Sequence, residues 1–396
     1  MKVRFLTLVT VTVILGLLLP ACGPAATPAP PAEEEQPAEE EAPAAEEAQP
    51  EVYKIGYVDG MTGDGAVWGQ SGLKGATIAV EEINDAGGIN GVPIELVVED
   101  NRMASADTLT AVKKLAEVDK LPAAFGISSS TICFAACGES EKYKMVLLTT
   151  TATNPGLGAE CPDWFYRVMP SDAGQGIEMV RVLEHFGVTE APIMYINNDY
   201  GIGVKDAFVA EMERKGYTVT LEQPFEWAAT DFRTEVLKVS ELNPEYTVLV
   251  GYVKELGIIP KQAKELGFET QFIIDVCGIT KEVCEIAGEA SEGLLGVYPG
   301  SRLTDEYKEY AAKFNERWGE PPTVWSEFSY DAVKLLSMAI EKGGYTGEGI
   351  KGTLREVAKD YVGPSGPKAF QPDDNVVAPW FEWDIVENGE WVTYEP

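Results

Sequence analysis

From residue 53 onward, short apolar runs alternate with longer stretches in which apolar residues recur at helical spacing. Residues 53–58 read as a strand, and a glycine-rich turn follows. Residues 68–86 then carry Leu73, Ala76, Val80 and Ile83 on one helical face and stop at Gly87-Gly88. Further strands are predicted over 94–98, 123–127 and 145–148, with helices over 106–118 and 132–143. A second set begins near Asp172. Its strands read at 193–197, 218–221, 247–251 and 271–274, separated by helices at 205–215, 232–242 and 256–266. Beyond Tyr298-Pro299-Gly300 the pattern changes to longer helices over 305–318 and 328–341, and residues 370–394 are strand-like again. Such alternation implies βαβ units, hence an α/β fold with mostly parallel sheets covered on both faces. Two lobes account for it, although the pattern alone does not say which lobe the last segments join.

Length agrees, since 396 residues exceed one ordinary core and suit two. A net charge of −33 excludes nucleic acid as a partner, because phosphate binding needs clustered Lys and Arg. The single histidine, His185, stands in a helical pattern beside Phe186 and reads as structural. Little is left for His-dependent catalysis or a His-rich metal site.

The first residues form a different pattern. Lys2 and Arg4 precede an apolar run over 9–19, too short to span a membrane, and Leu19-Pro20-Ala21-Cys22 ends it. The segment resembles a bacterial lipoprotein signal, which implies acylation of Cys22 as the mature N-terminus. Residues 23–50 contain only Gly, Pro, Ala, Thr, Glu and Gln and read as a solvated tether. Five cysteines remain in a chain expected to meet oxidising conditions. Cys277 and Cys284 are one candidate pair. A second pairing is expected among Cys133, Cys137 and Cys161, with Cys137 and Cys161 as candidates, leaving a third thiol buried. With no fourth Cys or His at metal spacing, neither a metal site nor a cofactor is expected.

In open α/β sheets, ligands bind beyond the C-terminal ends of the strands. After residue 127 comes Ser128-Ser129-Ser130-Thr131, leading into a helix, and after residue 148 comes Thr149-Thr150-Thr151-Ala152-Thr153. Hydroxyls and N–H groups there suit an anion such as a carboxylate, beyond their ordinary use as helix caps. For an ammonium, Asp275 at the end of an apolar run is the best-placed acid. Trp68, Tyr200 and Tyr252 all fall in turns after strands and suit the walls of an apolar pocket. Catalytic signatures are missing: no Gly-x-Ser-x-Gly elbow, no phosphate-binding Walker loop and no His-Glu-x-x-His. The chain reads as a binder, not an enzyme.

From about Val52 on, the sequence is similar to the solute-binding proteins of branched-chain amino-acid ABC transporters, the leucine/isoleucine/valine-binding group. The landmarks are Gly60-Met61-Thr62-Gly63, Trp68-Gly69, the run from Glu82 to Gly91, Ser128-Ser129-Ser130-Thr131, Asp199-Tyr200-Gly201, Ile286-Ala287-Gly288-Glu289, Glu292-Gly293-Leu294-Leu295 and Tyr330-Asp331-Ala332. The resemblance implies a periplasmic-binding-protein type I fold, with two doubly wound parallel-sheet lobes joined by a hinge of three crossings. It divides the chain into a signal peptide at 1–21, a tether at 22–51, one lobe from 52–170 and 299–375, and another from 171–298 and 376–396. It also implies a monomer, lipid-anchored outside the cytoplasmic membrane, that hands an amino acid or related solute to permease subunits. By the same resemblance Ser128 and Thr153 match carboxylate-holding hydroxyls, Ser129 stands beside them, and the Thr151 carbonyl matches an ammonium acceptor. Trp68, Tyr200 and Tyr252 match aromatic lining positions. The sequence departs where the group carries a glutamate for the ammonium. Here Asp275-Val276-Cys277 stands, with Val276 at the matching position, and Asp275 is the expected substitute. Amides, urea and aromatic acids are the alternative ligands, and a ligand-sensing receptor for a membrane signalling partner is the alternative role.

Overall fold

A strand buried on both faces must be apolar throughout, and the runs that read so become strands of two sheets. The computed structural model describes residues 50–161, 163–300, 302–371, 377 and 379–395. The expected signal peptide, the acylated Cys22 and all but the end of the tether lie outside them.

The first set comprises β1 (Tyr53–Asp59), α1 (Ala66–Asp85), β2 (Ile94–Asp100), α2 (Ser105–Glu117) and β3 (Ala123–Gly126). It continues through α3 (Ser130–Ala136), α4 (Gly138–Tyr143), β4 (Val146–Thr149), α5 (Gly156–Glu160) and β5 (Phe165–Arg167). Its five strands pair in the order β2-β1-β3-β4-β5, all parallel. Every residue of β3 and β4 is buried. Gly87 and Gly88 end α1 at φ +102° and +75°, where a Cβ on Gly88 would lie 2.3 Å from the Val92 carbonyl.

The second set comprises α6 (Asp172–His185), β6 (Glu190–Ile196), α7 (Asp199–Lys215), β7 (Thr218–Phe225), α8 (Arg233–Ser240), β8 (Tyr246–Val250) and α9 (Val253–Glu265). Then come β9 (Gln271–Ile274), α10 (Lys281–Ala287) and β10 (Leu295–Pro299). The chain next returns to the first lobe as α11 (Asp305–Trp318), α12 (Val324–Gly343) and α13 (Gly347–Ala358), with the small hairpin β11 (Val362–Gly363) and β12 (Gly366–Pro367). It ends in the second sheet with β13 (Phe381–Glu387) and β14 (Glu390–Thr393). The second sheet runs β14-β13-β10-β9-β8-β6-β7. Strands β6 to β10 are parallel, whereas β13 and β14 add as an antiparallel edge.

Several elements depart from the sequence reading. The helix expected over 132–143 breaks at Cys137 into α3 and α4. Strand β7 runs on through Glu222-Gln223-Pro224, which an edge strand tolerates because its outer N–H groups need no partner. Helix α12 starts at Val324, four residues earlier than the apolar period suggests, because Thr323 and Ser326 form a reciprocal capping box. Against it packs α1, so closely that a Cβ on Gly75 would stand 2.0 Å from the Ser326 carbonyl oxygen.

Cys137 and Cys161 form a disulfide that ties the end of α3 to the end of α5. Cys133 stays a buried thiol and donates to the Ile127 carbonyl at 3.2 Å. The candidate pair Cys277 and Cys284 is not joined. Cys277 lies in the 3-10 turn Val276–Gly278, with its sulfur 3.6 Å from the Tyr200 hydroxyl. Cys284 is turned instead onto the packed face of α10, beside Ser291. Closeness in sequence did not bring the two sulfurs together.

Candidate functional site

Strand order reverses between β1 and β3 in the first sheet and between β6 and β8 in the second. Such reversals leave a crevice beyond the strand ends, and both open onto one cavity of about 390 Å³, part of it continuous with solvent. The first lobe contributes Trp68, Ser128, Ser129, Ser130, Thr151, Thr153, Val324 and Trp325 to its walls; the second contributes Tyr200, Tyr252, Val276 and Cys277, and Met169 lies at the crossing.

Ser128 owes its position to an unusual turn. Gly126 and Ile127 both have positive φ, +108° and 52°, a conformation that a β-branched residue seldom adopts. The reversal swings Ser128 back over the end of β1, where its hydroxyl donates to Asp59 Oδ2 at 2.5 Å. Asp59 also accepts the Gly60 N–H at 2.9 Å. Burial pushes its carboxyl up to about 6, and these donors moderate the rise. Ser128 thus gives its proton to Asp59 and is not free to donate to a ligand carboxylate as the resemblance implied.

Other expected donors are also engaged. The N–H groups of Thr153 and Asn154 point at Ser130 Oγ, at 3.3 and 3.2 Å. The Thr153 hydroxyl lines the cavity, buried and without a hydrogen-bond partner. Beside it Asp172, at the start of α6, is 1% exposed with neither carboxylate oxygen hydrogen-bonded. Burial drives that carboxyl up to about 7, with the Thr153 hydroxyl and the Arg167 guanidinium holding it from going further. Thr151 turns its hydroxyl toward the Ser128 carbonyl at 3.4 Å, and Ser129, the residue before α3, faces the cavity near Tyr252.

Aromatic rings make the remaining walls. Trp68 stacks on Trp325 with centroids 6.0 Å apart and planes 15° from parallel. Across the crevice Trp68 meets Tyr252 at 4.7 Å, and Tyr252 stacks on Tyr200 at 5.6 Å. Asn198, which caps α7 by accepting the Gly201 N–H, also steadies the Tyr252 hydroxyl through its side-chain amide at 3.1 Å. Asn154 of the first lobe donates to the Asp199 carbonyl of the second at 2.5 Å, so the lobes meet beside the cavity.

Asp275 requires a correction. It is fully buried and does not line the cavity. Its carboxylate caps the 3-10 turn by accepting the Cys277 N–H at 2.9 Å, and it takes the Gly251 N–H at 2.7 Å. Burial raises it to about 8, and it stands behind Tyr200 and not in front of it. Its neighbours Val276 and Cys277 face the space instead. Sequence reasoning also missed Trp325 and Met169. The signal for Trp325 was its place two residues after Pro321-Pro322-Thr323, in the first turn of a helix. Among the described residues, no group of three or more His, Cys, Asp or Glu could hold a metal ion.

A model of the periplasmic binding protein family matches residues 52–386. The chain belongs to that family. Members are solute-binding proteins and not enzymes, and they work outside the cytoplasm, which sets the class and location of this one. It is 25% identical over 323 residues to the leucine-, isoleucine-, valine-, threonine- and alanine-binding protein of Pseudomonas aeruginosa, covering 81% of this chain and 86% of that one. A leucine-binding protein, LivK, from Thermotoga maritima superposes with a TM-score of 0.80 at 25% identity, covering 87% of this chain and 98% of its own. LivJ from Streptococcus pneumoniae, solved in complex with isoleucine, gives 0.78 at 26% identity and covers 87% and 100%. The type I periplasmic-binding fold, two lobes each built on a parallel sheet, is therefore that of this solute-binding protein.

Proposed function

We propose that this solute-binding protein captures a small amino acid with an apolar side chain and delivers it to the membrane subunits of an ABC importer. The reading rests on one observation above others: a crevice between the lobes with four aromatic rings on its walls and a row of hydroxyls at one end. Such a space takes an apolar body by burial and orients a polar head by hydrogen bonds. Hinge closure then removes the head from water, which is favourable only if every polar group finds a partner. The relatives named for leucine, isoleucine and valine support the choice of side chain. In this reading the protein acts as a monomer held at the membrane by an acyl group on Cys22.

Calorimetric titration of the full-length protein with leucine, isoleucine, valine, threonine and alanine tests the reading. Saturable binding of at least one is expected. Trp68→Ala is expected to weaken it by roughly tenfold or more, from the loss of a buried ring, while the circular dichroism spectrum stays unchanged. Absence of heat with all five would refute the amino-acid assignment.

A further inference from the structure

Among the described residues lining the cavity there is no lysine, arginine, histidine or carboxylate. Three buried acids nevertheless stand directly behind its hydroxyls. Asp59 takes the proton of Ser128. Asp172 lies beside Thr153, and both its carboxylate oxygens and the Thr153 hydroxyl lack hydrogen-bond partners. Asp275 lies near the Tyr200 hydroxyl. A hydroxyl that gives its proton to a carboxylate turns its lone pair the other way, so an occupant of the cavity meets it as an acceptor.

We infer that the cavity recognises a protonated amine, received by the Ser128 and Thr153 hydroxyl oxygens that Asp59 and Asp172 polarise from behind, with Asp275 adding a third acid behind Tyr200, and that a carboxylate on the same ligand is dispensable. The inference rests on the receptor reading above and specifies its ligand: α-amino acids and simple apolar amines are taken, and acids without an amine are refused.

Four observations support it. The two oxygens of Asp172 are buried polar atoms without donors, which a cation arriving at Thr153 would satisfy through the hydroxyl. The rings of Trp68, Trp325, Tyr200 and Tyr252 line the same space, and aromatic rings attract cations and not anions to their faces. The net charge of −33 concentrates cations, not anions, around the molecule. Of the groups facing the acids, one is a cation, Arg167 beside Asp172, and the rest are neutral or acidic. Asp59 meets Tyr57 and Cys133; Asp275 meets Tyr200, Cys277, Tyr252 and Asp172; and Asp172 meets Tyr200 and Cys277, with Arg167 as the cation on its side. An ionised carboxylate in the cavity would face three acids with no lining cation to offset them.

A proton linkage follows. Burial raises Asp59, Asp172 and Asp275 to about 6, 7 and 8, so the empty site holds part of its protons near neutrality. A cation favours their ionised forms. Binding an amine therefore releases protons, and its affinity rises with pH through that range and levels off above it.

The test is calorimetry of the full-length protein with three probes that share one side chain: leucine, 3-methylbutylamine and 4-methylpentanoate. Leucine and the amine are expected to bind, each roughly tenfold tighter at about pH 8.5 than at about pH 5.5, and the acid is expected to give no heat. Asp172→Asn is expected to weaken the amine by roughly ten- to hundredfold and to flatten its pH profile, an effect that a merely structural role would not produce. Asp59→Asn supplies the same readout should the first variant fail to fold. Binding of 4-methylpentanoate as tight as that of leucine, or of leucine without the amine, overturns the inference and leaves the receptor reading intact. An unchanged pH profile in both variants overturns it as well. Silence from all three probes removes the receptor reading for this side chain and the inference with it.

Discussion

Ile127 holds a left-handed backbone that its branched side chain disfavours, and the turn it makes places Ser128 over Asp59. Strain of this kind persists only where surrounding structure fixes it, and here β1 does so through the Ile127 N–H to Val58 carbonyl bond at 2.7 Å. The other fixed point of the same lobe is covalent. Cys137–Cys161 closes a loop with a sequence separation of 24, which on chain entropy stabilises the fold by about 3 kcal/mol. Replacing both residues by serine is expected to lower the unfolding free energy by about that amount in denaturant titration. No change would show that the bridge adds nothing to the native state. Residue by residue, part of the cavity lining was legible from side chains that follow strand ends: Trp68, Tyr200 and Tyr252 were found in this way. Asp275 follows a strand too, yet its carboxylate turned inward because two N–H groups needed an acceptor. Hydrogen-bond demand of that kind leaves no mark in a linear pattern.

Helix α6 shows what periodicity can hide. Gly174 and Gly176 interrupt its apolar face, and they are there for room: a Cβ on Gly176 would lie 2.6 Å from the Phe208 nitrogen on α7. Helix α13, with three glycines in twelve residues, escaped the sequence reading for a similar reason. By contrast, β3, β4, β8 and β9, buried along almost their whole length, had no competing signal and were readable. The short β5 and the strand β10 escaped the sequence reading, and the order of strands in each sheet came only from the structure. The helix pair α1 and α12 offers a direct check on close approach. Gly75→Ala must push the Ser326 carbonyl away or tilt one helix, and backbone cannot yield as a flexible side chain can. A loss of about 3 kcal/mol is expected from equilibrium unfolding, against near-neutrality for Gly138→Ala, where a Cβ meets nothing within 4 Å.

Over the whole molecule, buried acids set the response to pH. Besides the three behind the cavity, Glu327 is raised to about 8 and Asp384 to about 6, each chiefly by burial. Glu327 accepts from the Tyr298 hydroxyl at 2.5 Å, and Asp384 pairs with Arg302 at 3.0 Å; both contacts join parts of the chain flanking the second crossing. A carboxyl whose pKa is higher folded than unfolded favours the native state most below its unfolded value, near 4. That contribution is lost as pH rises through 6 to 8. The ligand-free protein is therefore expected to melt at a lower temperature at about pH 8 than at about pH 5, and differential scanning calorimetry would detect a rise in the opposite direction if this balance is wrong.

The return of the chain from the second sheet to the first and back has a consequence for the order of synthesis. Strand β10 pairs with β13, but α11, α12 and α13 are made between them. The ribosome must therefore deliver nearly the whole chain before either lobe has all its strands and helices. A sequence so interleaved completes neither lobe until late in its synthesis, which suits a protein that works outside the cytoplasm.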